Sequence, residues 1–280
     1  MQPDLKSIHN QVSAVMPGVN RLLIKKFSLP KKVSYKAGGI DHLSTSVVTE
    51  TDKEVEKILK TKLLKILPGS GFIGEETVPD AKEYNWIIDP IDGTLNFANQ
   101  VPVFACSIGL WHKNQPVYAY VSLPMSGETI HAISGQGIWL NGRRVKLIRK
   151  PSQKLFITYS AVGDKKTVAD TIIKVLEFSS GPRTYGSCVF HGAQIALGRI
   201  DAGVFINQAL WDIAAIVLLA REAGLSVNYI SLKPNINSDD LKNYQYSLVI
   251  GPEKLANNLA AKLWSAVFLR VKPILSTCAT

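Results

Sequence analysis

The stretch Trp86-Ile87-Ile88-Asp89-Pro90-Ile91-Asp92-Gly93-Thr94-Leu95-Asn96-Phe97 decides how this chain is read. An apolar strand pattern runs into two carboxylates three positions apart, and a glycine, a hydroxyl and the start of a helix follow. That order suits a site for a hard cation and a phosphate, because aspartate oxygens bind Mg²⁺ and exposed N–H groups at a helix start attract an anion. The same residues also make an Asp-Pro and Asp-Gly turn at a strand end, which is ordinary loop chemistry. Taken alone, the stretch leaves both readings open, and its neighbours in the chain decide between them.

Upstream, the spacing of Leu5, Ile8, Val12 and Val15 predicts an opening helix disturbed at Pro17. A second helix is capped by Thr49 or Thr51 and carries Val55, Ile58, Leu59, Leu63 and Ile66 on one face until Leu67-Pro68-Gly69 stops it. A short strand at Phe72-Ile73 then delivers Gly74-Glu75-Glu76. Downstream, residues 104–111 and 117–123 form a hairpin about Lys113-Asn114-Gln115, and further strands at 128–133 and 137–140 lead to a tight turn at Asn141-Gly142. From about residue 150 strands and helices alternate: a strand at 155–159, a helix at 167–178, a helical segment opened by Gly186-Ser187 and a strand at 202–206. A helix at 212–223 closed by Gly224, strands near 225–230 and 246–250, and a last helix from Pro252 complete the pattern. The expected organisation is α/β in two subdomains, residues 1–145 carrying most of the acidic motifs and residues 146–280 carrying Asp212.

Composition narrows the class. With 280 residues, 46% hydrophobic and 19% charged, the chain has the make-up of a soluble globular protein able to bury a large core. The first twenty residues include Asp4, Lys6 and His9, which predicts no secretion leader, and no run reaches the roughly 18 to 20 apolar residues of a membrane helix. Cys106, Cys188 and Cys278 are far apart and form no CxxC pair, which argues against a zinc site or a disulfide framework and predicts a reducing cytoplasmic setting. The net charge of +10 is compatible with an anionic substrate; without a basic motif interleaved with aromatics, nucleic acid is not the expected partner.

Four places put acidic or hydroxyl groups at strand ends or helix starts: residues 46–52 (Ser-Val-Val-Thr-Glu-Thr-Asp), Gly74-Glu75-Glu76, Asp89 to Thr94, and Trp211-Asp212. Each has an ordinary alternative: Glu75-Glu76 as a solvated loop, Asp212 as a helix cap, Ser187 as another cap. Together, in this order, GEE, DPIDGTLNF and WDIAAIVLLAREAG resemble the inositol monophosphatase family of Mg²⁺-dependent, lithium-sensitive phosphatases. Gly135 to Gly142 and Arg183 to Ser187 fit the same pattern, so the resemblance spans most of the chain.

The resemblance implies a layered αβαβα sandwich, a homodimer, and Mg²⁺ held by Glu75, Asp89, the carbonyl of Ile91, Asp92 and Asp212. It places the phosphate on Asp92, Gly93 and Thr94, and further substrate contacts on Gly186, Ser187 and Cys188. The implied reaction is direct hydrolysis of a small phosphate monoester by a metal-activated water that Glu75 and Thr94 orient, with Asp92 beside it and no covalent phosphoenzyme. Two departures from the family pattern stand out. Ser46 occupies the place of an aspartate that partners the threonine, with Ser44 and Asp41 nearby, which predicts slower turnover that Ser46→Asp would raise. Phe205 stands seven residues before Asp212, where a glutamate would meet sugar hydroxyls, so inositol 1-phosphate is the family default and not a derived substrate. Nucleotide 3′-phosphates, fructose 1,6-bisphosphate and histidinol phosphate are the alternative substrates, and a non-enzymatic regulatory protein retaining the fold is the alternative of another class.

Overall fold

The computed structural model describes residues 2–29, 33–35, 47–147, 155–179, 181–231, 233–236 and 244–263. In chain order the elements are α1 (Leu5–Phe27), β1 (Val33–Tyr35), β2 (Val47–Thr49), α2 (Glu50–Ile66), β3 (Gly71–Gly74), β4 (Tyr84–Asp92) and α3 (Thr94–Ala98). The strands β5 (Ala105–His112), β6 (Gln115–Leu123), β7 (Glu128–Ile133), β8 (Ile138–Leu140) and β9 (Arg143–Val145) follow. The remainder comprises β10 (Ile157–Ala161), α4 (Lys165–Leu176), α5 (Cys188–Ala196), β11 (Ala202–Gln208), α6 (Leu210–Glu222), β12 (Ser226–Tyr229), β13 (Tyr246–Gly251) and α7 (Glu253–Leu263). A seven-stranded sheet runs β3-β4-β5-β6-β7-β8-β9, a four-stranded sheet runs β10-β11-β13-β12, and β1 pairs with β2.

Strand alternation sorts the buried side chains into three cores, and the cores define the layers. Trp86 and Ile88 of β4, with Cys106, Ile108 and Leu110 of β5, point to the side covered by α1 and α2. Ile87, Ala105, Ala119 and Val121 point the other way, into a core shared with α5, α6 and the inner face of the small sheet at Phe205, Leu248 and Ile250. Ala202, Val204, Ile206 and Val249 turn to the far side, against Val175 of α4 and Leu259 of α7. The result is the αβαβα sandwich. The central helix layer is tightly fitted: Trp111 Nε1 donates to the carbonyl of Ala214 at 3.0 Å, and a Cβ on Gly192 would come within 2.5 Å of Ile216. Among the described residues no helix is long and apolar enough to cross a membrane.

The main departures from the sequence reading lie at helix ends. α1 continues through Pro17 for 23 residues, because Met16, Val19 and Leu23 extend the buried stripe begun by Ile8 and Val12. Burial of that stripe outweighs the one backbone hydrogen bond the proline removes. α6 begins at Leu210, two residues before Asp212, which stands at the third helical position. The first small-sheet strand is shifted to Ile157–Ala161, following its parallel register with Ala202–Ile206. Lys113 and Asn114, and later Asn141 and Gly142, all have positive φ, as two-residue hairpin turns require.

Candidate metal centre

A bulge brings the two aspartates of the opening stretch onto one face. Asp89 pairs with Ser107 across β4 and β5, whereas Asp92 pairs with Ala105, so three steps on β4 match two on β5. In a regular strand residues three apart face opposite sides; one extra residue cancels the alternation. Pro90 sits inside the bulge, where the sheet asks for no ladder N–H from it. Both carboxylates therefore turn toward the core lined by α5 and α6, where Asp212 meets them. One oxygen from each of Asp89, Asp92 and Asp212 lies within 4.8 Å of the others, an arrangement that could hold a metal ion.

Each carboxylate is fixed by its own local structure. Asp89 accepts the amide of Ile91 at 3.0 Å, closing the turn at Pro90. Asp92 accepts the Ser187 hydroxyl and the amides of Cys188 (3.1 Å) and Val189 (2.9 Å), so it serves the N-terminus of α5 from another element. Asp212 accepts the Ala209 amide at 2.9 Å, which makes it both a cap of α6 and a member of the acidic cluster. Glu75 follows β3, whose parallel pairing with β4 reaches Gly74 opposite Ile88, and its charge acts on both Asp89 and Asp212.

Electrostatics favour a cation here. Asp89 is 2% exposed and Asp92 6%. Burial, then the charges of Glu75, Asp92 and Asp212, hold the Asp89 carboxyl far above the usual range. Burial, then Asp92 and Glu75, do the same to Asp212. Burial lifts Asp92 to about 6, against the hydrogen bonds from Ser187 and the start of α5. Among the described residues no ion pair joins a basic side chain to any of these three aspartates. A hard divalent cation would supply the missing positive charge to an all-oxygen donor set, which fits Mg²⁺ chemistry.

Beside the cluster, Thr94 begins α3 and its hydroxyl lies 2.9 Å from the Ile91 carbonyl and 3.2 Å from Asp52 Oδ1. Gly93 has φ +92°, and a Cβ there would approach the Gly186 carbonyl at 3.1 Å, so the 93 and 186 turns are in close contact. Asn96 joins them from the other side, donating to the carbonyls of Tyr185 (2.6 Å) and Val103 (2.8 Å). Ser187 caps α5 while binding Asp92, and the Cys188 side chain is buried with Sγ 3.8 Å from the Asp212 carbonyl.

The sequence reading included Asp52 and Asn96 in its motifs and assigned neither a role. Thr49-x-x-Asp52 was readable as a capping box, but the reach to Thr94 spans 42 residues and needs the fold. Ser46, Ser44 and Asp41 lie outside the described residues. Phe205 is fully buried between the sheets.

A sequence model of the inositol monophosphatase family matches residues 4–267. Inositol monophosphatase 2 of Solanum lycopersicum is 35% identical over 205 residues, covering 68% of this chain and 77% of the relative. The fructose-1,6-bisphosphatase/inositol-1-monophosphatase of Thermotoga maritima is 30% identical over 219 residues, covering 77% of this chain and 82% of the relative. The crystal structure of extragenic suppressor protein suhB from Bartonella henselae superposes with a TM-score of 0.75 at 28% identity, covering 90% of this chain and 98% of that one.

Proposed function

The chain belongs to the inositol monophosphatase family, and from that premise we propose that it is a Mg²⁺-dependent phosphomonoesterase acting on a small phosphorylated substrate. The observation that carries this reading is the convergence of two buried carboxylates, Asp89 and Asp92, with the half-buried Asp212, uncompensated by any basic partner among the described residues, beside the Thr94 hydroxyl.

In this reading Glu75, Asp89, Asp92, Asp212 and the Ile91 carbonyl hold the metal. Bound there, Mg²⁺ supplies a lowered water pKa and neutralises charge on the phosphate oxygens and the leaving oxygen. Glu75 and Thr94 orient the attacking water from the protein side. The backbone of Gly93 and Thr94 seats the phosphate, and the turn at Gly186, Ser187 and Cys188 borders the rest of the substrate. Asp92 couples the two regions, since it fixes the start of α5 as well as contributing to the cluster. The buried thiol of Cys188 takes no part as a nucleophile: burial and the neighbouring aspartates hold it far from its thiolate form.

The substrate beyond the phosphate is proposed as inositol 1-phosphate, with fructose 1,6-bisphosphate as a second reading that the Thermotoga relative's double name favours. Burial of Phe205 removes that position as a hydroxyl-binding group, which weakens selection for a polyol. We place the enzyme in the cytoplasm as a homodimer. The test is inorganic phosphate release from inositol 1-phosphate, fructose 1,6-bisphosphate, a nucleotide 3′-phosphate and histidinol phosphate, with Mg²⁺ and with a chelator. Mg²⁺-dependent release from at least one is expected, and none from any, with the protein folded, would refute the proposal.

A further inference from the structure

We infer that Asp52 is a positioning residue for the Thr94 hydroxyl, holding it so that its oxygen faces the attacking water as an acceptor. The inference rests on the phosphatase reading above and names a residue to which that reading gives no part.

Helix capping alone does not account for Asp52. Asp4 and Asp164 also serve helix starts, of α1 and α4; both are exposed, and both accept bonds only from their own helix. Asp52 is 1% exposed, and burial followed by the charge of Glu76 opposes its ionisation, with the Thr49 and Thr94 hydrogen bonds acting the other way. A cap worth about 1 kcal/mol does not require a desolvated carboxylate. The division of its oxygens points to a second task. Oδ2 takes both the amide (2.8 Å) and the hydroxyl of Thr49, which completes the cap, while Oδ1 is left to Thr94 at 3.2 Å.

Thr94 has one hydroxyl proton and two acceptors within reach, the Ile91 carbonyl at 2.9 Å and Asp52 Oδ1. A hydroxyl that donates to a carboxylate becomes a better acceptor through its own lone pairs, because the two hydrogen bonds polarise each other. Donation to Asp52 would also free the Ile91 carbonyl to serve as a metal ligand. Asp52 thus sets the direction of a hydrogen-bond chain from water to Thr94 to carboxylate. No proton need be transferred along it. With an amide in place of the carboxylate, the group facing Thr94 is either a weaker acceptor or a competing donor, and the direction is lost.

The test is a double-mutant cycle of Asp52→Asn and Thr94→Val, with Thr49→Ala as the control for helix capping. Steady-state phosphate release with Mg²⁺ and melting of the metal-free protein are both read. Asp52→Asn is expected to lower kcat about 10- to 100-fold, the scale of one charge-assisted hydrogen bond, with KM within about twofold of wild type. The double variant should be no slower than Thr94→Val alone, and its melting shift should fall short of the sum of the two single shifts. Thr49→Ala should melt earlier than wild type with kcat retained. An unchanged kcat in Asp52→Asn, kcat losses that multiply in the double variant, strictly additive melting shifts, or loss of kcat in Thr49→Ala would each overturn the positioning role while leaving the phosphatase reading intact. A wild type that releases phosphate from no substrate would overturn that reading, and this inference with it.

Discussion

Replacing Asp89 with asparagine separates the cost of the acidic cluster from its use. The cluster concentrates like charges in a buried place, and Asp89 is the member on which burial and four neighbouring carboxylates, Glu75, Asp92, Asp212 and Asp52, all act. Asparagine keeps the shape and the oxygen that accepts the Ile91 amide, and it removes the charge. Two like charges within 4.8 Å of one another repel by about 1–3 kcal/mol at an effective dielectric constant between about 80 and 20, so removing one stabilises the metal-free protein on that scale. At about 2–4 °C per kcal/mol for a chain of this size, the melting temperature rises by roughly 3–10 °C in chelator. The same substitution removes a proposed ligand. Wild type should gain about 3 kcal/mol from Mg²⁺ at one hundred times its Kd, whereas Asp89→Asn should gain far less at the same concentration. Scanning calorimetry of both proteins, with chelator and with Mg²⁺, reads all four values. A metal-free Asp89→Asn that melts at or below wild type, or one that Mg²⁺ stabilises as much as wild type, would refute the view that this cluster is destabilised without a cation.

The pH dependence follows from Asp92, whose carboxyl is raised from 3.8 to about 6. A raised acid favours the folded state while protonated, so this contribution is fully present below about pH 4 and is lost as pH rises through about 6. The benefit of Mg²⁺ on melting should therefore grow between pH 4.5 and 7; thermal scans showing a constant benefit would contradict it. Gly186 has φ +72°, and a Cβ there would lie 2.9 Å from Asn96 Nδ2. Gly186→Ala should cost about 1–3 kcal/mol in urea unfolding and raise KM by displacing the 185–188 turn, and unaltered values would count against the Asn96 link. Gly192→Ala forces a methyl against Ile216 and should cost about 1–3 kcal/mol with KM unchanged, measured by the same two assays.

Much of the fold was readable because period and punctuation agreed along the chain. The Val55 to Leu63 stripe lay between Thr49 and Leu67-Pro68, and α2 has those limits. Leu259 and Leu263 followed Pro252, and α7 buries both. Pro17 misled because a local rule was set against a buried face that only the sheet supplies. At the site, residue types were legible and directions were not. Pro90 marks an irregularity in the strand without saying that it is a bulge of one residue, yet without that extra residue the two carboxylates would face opposite sides of the sheet. Asp52 and Asn96 were hidden for a similar reason. Asp52 reads locally as the third-position member of a helix cap, and its contact with Thr94, like that of Asn96 with Tyr185, exists only after distant elements have docked.

The proposed function depends on Asp89, Asp92 and Asp212 holding a catalytic cation. The most direct measurement is phosphate release as Mg²⁺ is titrated into chelator-stripped protein, wild type against Asp212→Asn, with folding checked by circular dichroism. Saturable activation of wild type from a zero baseline is expected, with a loss of about 100-fold or more in Asp212→Asn, the worth of several kcal/mol of metal-borne stabilisation. Turnover by the stripped enzyme, or wild-type rates in a folded Asp212→Asn, would contradict it.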